Sequence, residues 1–157
     1  MDTYFLLKWV HIISSTLLFG TGLGTAFHGW MSHRSGDVRA TVAVGRSVVL
    51  ADWLFTAPSV VVQPLTGFAM MWMTGIPLTT PWVVAALVLY ALVGACWLPV
   101  VWLQIRMHRL AAEALARDEP LPPLFHRYAR YWFILGWPAF IGVLAIFWLM
   151  VAKPELW

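Results

Sequence analysis

Four long apolar segments occupy most of this sequence, and they constrain its fold more than any other feature. They extend approximately over residues 4–31, 48–74, 82–105 and 131–152. Each is longer than the roughly 20 apolar residues that a helix needs to cross a hydrocarbon layer about 30 Å thick. Because unpaired backbone groups are not tolerated in lipid, the segments must be helices. The sequence therefore predicts an all-α integral membrane protein, an antiparallel four-helix bundle.

The composition leaves little room for anything outside the membrane. Only 11% of the 157 residues are charged, whereas soluble domains contain about 25%. We therefore expect one transmembrane domain over residues 1–157, without a separate soluble catalytic or nucleic-acid-binding module. The single cysteine, Cys96, lies inside the third segment and has no intramolecular disulfide partner.

The arginines predict the orientation of the bundle. The first loop, residues 32–47, contains three arginines, the third loop, residues 106–130, contains five, and the second, residues 75–81, contains none. Positively charged loops remain in the cytoplasm, so both termini are expected outside. Within the third loop, residues 109–117 are predicted to continue the helix, and the prolines at 120, 122 and 123 to end it.

Polar residues follow one face of each of the first three segments. In the second segment a stripe that is polar except for Met70 recurs at steps of three and four: Asp52, Thr56, Ser59, Gln63, Thr66, Met70 and Thr74. Such spacing places them on one side of a helix. Polar and small residues commonly join membrane helices, and packing is the simpler interpretation of the serines, threonines and glycines. We expect a polar interior that includes Lys8, Asp52, Gln63, Gln104 and His108.

Three of the ionisable residues within the segments stand out, because burial of charge in a membrane is costly and often functional. Lys8 either extends to the outer interface or acts in the interior. Asp52 either pairs with Arg46 or caps its helix, or it belongs to a functional cluster with Gln104 or His108. His11 is too deep to reach the surface easily and is the residue that we most expect to serve function.

Depth matching and histidine positions extend this interpretation. In antiparallel helices His11 is expected level with Thr66 and Tyr90. Four more histidines lie near the cytoplasmic edge, where a metal or haem site is one possibility: His28, His33, His108 and His126. However, His28 projects about 100° away from the His11 face. We expect His33 and His126 to be exposed to solvent.

Two sequence resemblances sharpen these expectations. Residues 8–13 (KWVHII), residues 130–138 and the closing Lys153-Pro154 pair resemble HemJ-type protoporphyrinogen oxidases, four-helix proteins of the bacterial inner membrane. That resemblance implies haem b ligation by His11 and a bacterial inner (plasma) membrane location. It does not extend to the lysine that those proteins carry in a later span, because the second and third segments contain none.

The second resemblance covers nearly the whole chain. Residues 52–58 (DWLFTAP) and 63–67 (QPLTG) are similar to an uncharacterised bacterial integral membrane family, domain of unknown function 2269. This resemblance implies a membrane-embedded fold and no known activity.

Two functions follow as hypotheses. The first is a redox protein with haem b, in which His11 is an axial ligand, Met70 or Met71 fills the opposite position and Tyr90 lies nearby; a membrane redox partner would accompany it. The second is a non-enzymatic membrane subunit or a carrier of protons or small solutes along the Asp52–Gln63 stripe. Four short-looped helices enclose little space, so a carrier is expected to be a homo-oligomer. The sequence leaves open whether the protein is catalytic.

Overall fold

The computed structural model describes residues 2–156, which are helical over almost their full length and contain no strand. The elements are α1 (Thr3–Ser35), α2 (Val38–Ala51), a π-helical turn (Asp52–Thr56), α3 (Ala57–Thr74), α4 (Pro81–Ala116) and α5 (Pro123–Ala152). Within the described range, four helical stretches are long and apolar enough to cross a membrane: Thr3–Ser35, Val38–Thr74, Pro81–Ala116 and Pro123–Ala152. The predicted all-α membrane architecture is confirmed, while the orientation of the termini stays a prediction.

The helix boundaries correct the predicted first and third loops. Gly36, at φ 71°, ends α1, and the Asp37 carboxylate then accepts the backbone N–H of Arg39 at 2.8 Å. This N-cap starts α2 at once. The first connection is thus two residues long, not the predicted loop over 32–47. Helix α4 continues to Ala116, as expected. Helix α5 begins at Pro123 rather than near residue 131, because proline suits a first helical turn.

The helices do not pack equally along their length. Helix α4 packs closely on α5, α1 on α3 and α2 on α4, whereas α1 and α5 make few contacts. The main apolar core lies where α4 meets α5, at the end that carries all eight arginines, here called the arginine-rich end: Leu103, Met107, Ala111, Phe125 and Trp132. The bundle is therefore tightly closed at this end and looser towards the middle of the spans.

Two prolines shape the second span. Pro58 has no N–H to bond the carbonyl of Leu54, and just before it the helix widens, so that the Ala57 N–H bonds the Asp52 carbonyl five residues back. Pro64 likewise leaves the Val60 carbonyl without its helical donor. The Tyr90 hydroxyl of α4 donates to that carbonyl instead. The gap that Pro64 leaves in α3 is thus filled by a side chain of α4.

Candidate functional site

A cleft of about 410 Å³ lies between α1, the π-helical turn with α3, α4 and α5. Its volume is within the range of about 300–1,000 Å³ typical of small-molecule sites. Most of its wall is apolar, with aromatic rings from three helices: Phe19, Phe27, Trp30, Tyr90, Trp97, Trp132, Phe133, Trp137, Phe140 and Phe147. The shape and lining suit an apolar molecule.

The cleft opens between α1 and α5. The large lining side chains that are also exposed come from these two helices: Leu23, Phe27 and Trp30 on α1, and Phe133 and Trp137 on α5. Elsewhere along the same two helices, Phe19 of α1 stacks on Phe140 of α5, with ring centroids 5.2 Å apart, and closes the gap between α1 and α5. Because residues 22–30 and 133–137 lie within the spanning helices, the opening faces the hydrocarbon layer.

Asp52 lies at the polar part of the cleft wall. Its side chain is only 5% exposed, and one carboxylate oxygen accepts the Thr56 hydroxyl at 2.9 Å. The other, Oδ2, has no hydrogen-bond partner in the part of the chain that the structure describes. The carboxylate lies close enough to the buried Gln104 side chain to interact with it. Asp52 therefore points into the bundle and towards Gln104, as predicted, and the alternative partner Arg46 is exposed.

A hydrogen-bonded group joins α1 to α3 beside the cleft. The Gln63 amide donates to the His11 carbonyl at 2.7 Å and to the Ser14 hydroxyl. Nδ1 of His11 lies 2.7 Å from the Thr66 hydroxyl, which donates its own hydrogen to the Val62 carbonyl. In the tautomer that fits these two bonds, Nδ1 carries the proton and donates to Thr66, and Nε2 keeps its lone pair.

The prediction that His11 lies level with Thr66 is confirmed, because these two side chains are hydrogen-bonded. The Tyr90 hydroxyl, by contrast, binds the carbonyl of Val60 and not His11.

The structure gathers some of the predicted site residues and separates others. Among the described residues, Asp52, Gln63, Tyr90 and Gln104 line the cleft, whereas His11 and Met70 are not in its wall. Lys8 is exposed, which corrects its predicted place in the polar interior. Its position near the start of α1 allows its long side chain to reach the interface.

A second, much smaller cavity lies on the arginine-rich side of the cleft; we call it the chamber. It has a volume of about 20 Å³ and is lined by residues of all four spans: Gly29, His33, Thr41, Gly45, Val48, Gln104, Met107, His108, Phe125 and Trp132. His108 therefore faces the chamber and not the cleft. Gln104 and Trp132 line both cavities and form the wall between them.

The histidines near the arginine-rich end are dispersed. His33 packs edge-on against Phe125 and Trp132, at centroid distances of 5.1 and 5.6 Å, and is half-buried rather than solvent-exposed as predicted. His28 and His126 are exposed. In the part of the chain that the structure describes, no three His, Cys, Asp or Glu side chains form a group suited to a metal ion.

The sequence reasoning missed the cleft and the chamber as spaces. Trp132 was not among the predicted site residues, yet its ring rests on Gly29, 3.3 Å from where a Cβ would lie. Gly45 similarly makes room for the His108 ring, with Nδ1 at 3.3 Å. The glycines were the signal in the sequence that could have indicated these close contacts. However, only the packing of the helices shows that they face the rings of Trp132 and His108.

Comparison with known proteins identifies the family. Neither the curated proteins nor the solved structures give a match. A protein-family model described as a predicted integral membrane protein, DUF2269, matches residues 5–154. The match runs through every helix and includes both the polar stripe of the second span and the cleft. The chain therefore belongs to the DUF2269 family of predicted integral membrane proteins.

Proposed function

We propose that this protein binds a lipid-soluble amphipathic molecule in the cleft, with a hydrogen-bond-donating head group at Asp52. The observation that supports this most is that Asp52, whose buried Oδ2 is unpaired among the described residues, lies in the wall of a mostly apolar cleft. The proposal develops the hypothesis of a non-enzymatic membrane subunit or carrier that uses the Asp52–Gln63 stripe. It requires no oligomer, since the cleft lies within one chain.

The apolar part of the cleft suits the body of such a molecule. Its aromatic and aliphatic wall gives contact area but few polar partners. The opening between α1 and α5 allows the ligand to enter sideways from the bilayer. A lipid-soluble ligand can diffuse within the bilayer to this opening without crossing water.

The polar part of the cleft suits one kind of head group. A carboxylate accepts hydrogen bonds and cannot donate them, so the unpaired Oδ2 requires a donor such as a hydroxyl or a protonated amine. Leaving such a group buried and unpaired costs about 1–3 kcal/mol or more, which a suitable ligand recovers. The π-helical turn that carries Asp52 supports this assignment, because such turns often occur at functional sites.

Two matched glycines allow a steric test. Gly94 lies in the cleft wall and Gly20 lies away from the cleft, and a Cβ added at either one would have no neighbour within 4 Å among the described residues. The probe is a long-chain alcohol with a photoreactive diazirine, added to the detergent-purified protein. We expect crosslinks on cleft-lining peptides, a clear loss in Gly94→Leu and full labelling in Gly20→Leu. Equal labelling of all three proteins would contradict the proposal.

Haem binding by His11 is a second candidate function. The observation in its favour is the Nδ1 bond to Thr66, since histidine ligands of metals are usually held through the other ring nitrogen. His11 would supply Nε2, and the bound haem would supply one-electron redox chemistry. The cleft itself does not fit this role, because its described wall contains no His, Met or Cys side chain.

An absorbance spectrum of the purified, haem-supplemented protein tests this second candidate. A Soret band that is lost in His11→Ala but kept in His28→Ala would support it. The exposed His28 is the matched control. Equal haem content in His11→Ala and wild type would rule out His11 as the ligand.

A further inference from the structure

Three residues that line the chamber each carry a polar atom without a hydrogen-bond partner among the described residues. The atoms are Oε1 of Gln104, Nε1 of Trp132 and Nδ1 of His108, all of them buried and without a hydrogen bond within residues 2–156. Gln104 is 8% exposed and Trp132 is 6% exposed. Buried polar groups nearly always have a partner, either protein or water. Three unpaired groups around one small cavity therefore call for a shared ligand.

The size and chemistry of the chamber select that ligand. A cavity of about 10–15 Å³ holds one water molecule if two to four polar groups surround it. The chamber, at about 20 Å³, meets this requirement without room for a larger molecule. The indole N–H of Trp132 is a donor, the amide oxygen of Gln104 is an acceptor, and a neutral imidazole nitrogen of His108 is able to accept. One water molecule accepts from the first and donates to the other two.

We propose that the chamber is a binding site for a single structural water molecule held by Trp132, Gln104 and His108. This site is separate from the ligand site in the cleft and does not depend on it. It joins α4 to α5 through polar contacts, next to the apolar core at the arginine-rich end.

The water also positions Gln104 for the cleft. The oxygen and the NH₂ group of an amide point in different directions. When the water holds Oε1 in the chamber, Nε2 is directed towards the neighbouring Asp52. Gln104 thereby stabilises the carboxylate of Asp52. In this arrangement Gln104 is a positioning residue.

Nuclear magnetic resonance of the full chain in detergent micelles tests the water site. The Trp132 indole signal is assigned by its loss in Trp132→Phe. We expect a cross-peak between the indole proton and a long-lived water molecule in the wild type. Gly45→Val should remove this cross-peak, because the added side chain enters the chamber next to His108. Gly20→Val, on the open surface of α1, should keep it.

Two results would overturn the proposal. One is a wild-type Trp132 indole proton without a water cross-peak, which needs no variant to interpret. The other is an undiminished cross-peak in a folded Gly45→Val protein, as judged by the remaining indole signals. Both measurements are made without a cleft ligand, so failure of the cleft proposal leaves them unaffected.

Discussion

The hydrogen bond from Tyr90 to the Val60 carbonyl allows a quantitative prediction. Pro64 removes the N–H that would bond this carbonyl in a regular helix, and the Tyr90 hydroxyl replaces it. Tyr90→Phe removes the replacement and leaves the carbonyl unpaired in an apolar environment. An unpaired buried group costs about 1–3 kcal/mol, whereas measured hydrogen bonds between membrane helices reach about 1.7 kcal/mol. We expect the free energy of unfolding to fall by about 1–1.5 kcal/mol.

A double-mutant cycle isolates this effect. Pro64→Ala restores a backbone N–H for the Val60 carbonyl, so the Tyr90 hydroxyl becomes dispensable. In the Pro64→Ala background, Tyr90→Phe should therefore cost much less, with a coupling energy of about 1 kcal/mol. Independent sites couple by no more than about 0.3–0.5 kcal/mol. The assay is reversible unfolding in mixed micelles by denaturing detergent. Equal costs of Tyr90→Phe in both backgrounds would refute the reasoning.

Further predictions concern packing, the His11 bond and topology. Gly142→Ala places a Cβ 2.5 Å from a side-chain carbon of α4 and should cost about 1–3 kcal/mol in detergent unfolding, whereas Gly136→Ala, with open space around it, should be neutral or stabilising. A harmless Gly142→Ala would contradict the close contact of α4 with α5. Thr66→Val removes the acceptor for His11 and should lower the melting temperature more than Thr74→Val, whose hydroxyl bonds only its own helix; equal shifts would argue against the bond. A reporter enzyme that works only outside the cytoplasm should be active when it is fused to the C-terminus. Activity of a reporter that works only in the cytoplasm would contradict the predicted orientation.

Much of the fold was predictable because it depends on local patterns. The apolar segments predicted the four spans, and the polar stripe placed Asp52 on the inner face beside Gln104. The helix boundaries were harder, because caps such as Asp37 extend helices through polar sequence that resembles a loop. The prediction that Lys8 lies in the polar interior was wrong because helical periodicity gives the face of a residue and not its depth. The depth of Lys8 in the membrane decides whether its side chain reaches water.

The cleft could not be read from the sequence because it depends on where helices do not touch. Helices α1 and α5 make few contacts, whereas Phe125 and Trp132 help to fill the core between α4 and α5 at the arginine-rich end. No pattern within either helix encodes that gap. The chamber has a similar origin, since it exists only where Gly29 and Gly45 meet rings from other helices. Sequence analysis identified polar candidates, and the packing determined which of them share a space.

The most direct test of the proposed function is the head-group dependence of binding to the cleft. A long-chain alcohol and its methyl ether share the same apolar body, but only the alcohol donates a hydrogen bond to Asp52. A hydrogen bond to a charged group contributes about 1.5–3 kcal/mol, so wild type should prefer the alcohol by roughly tenfold or more. Asp52→Leu should lose this preference and bind both compounds alike. Equal affinity of the wild type for the two compounds, or an unchanged preference in Asp52→Leu, would contradict the proposed function.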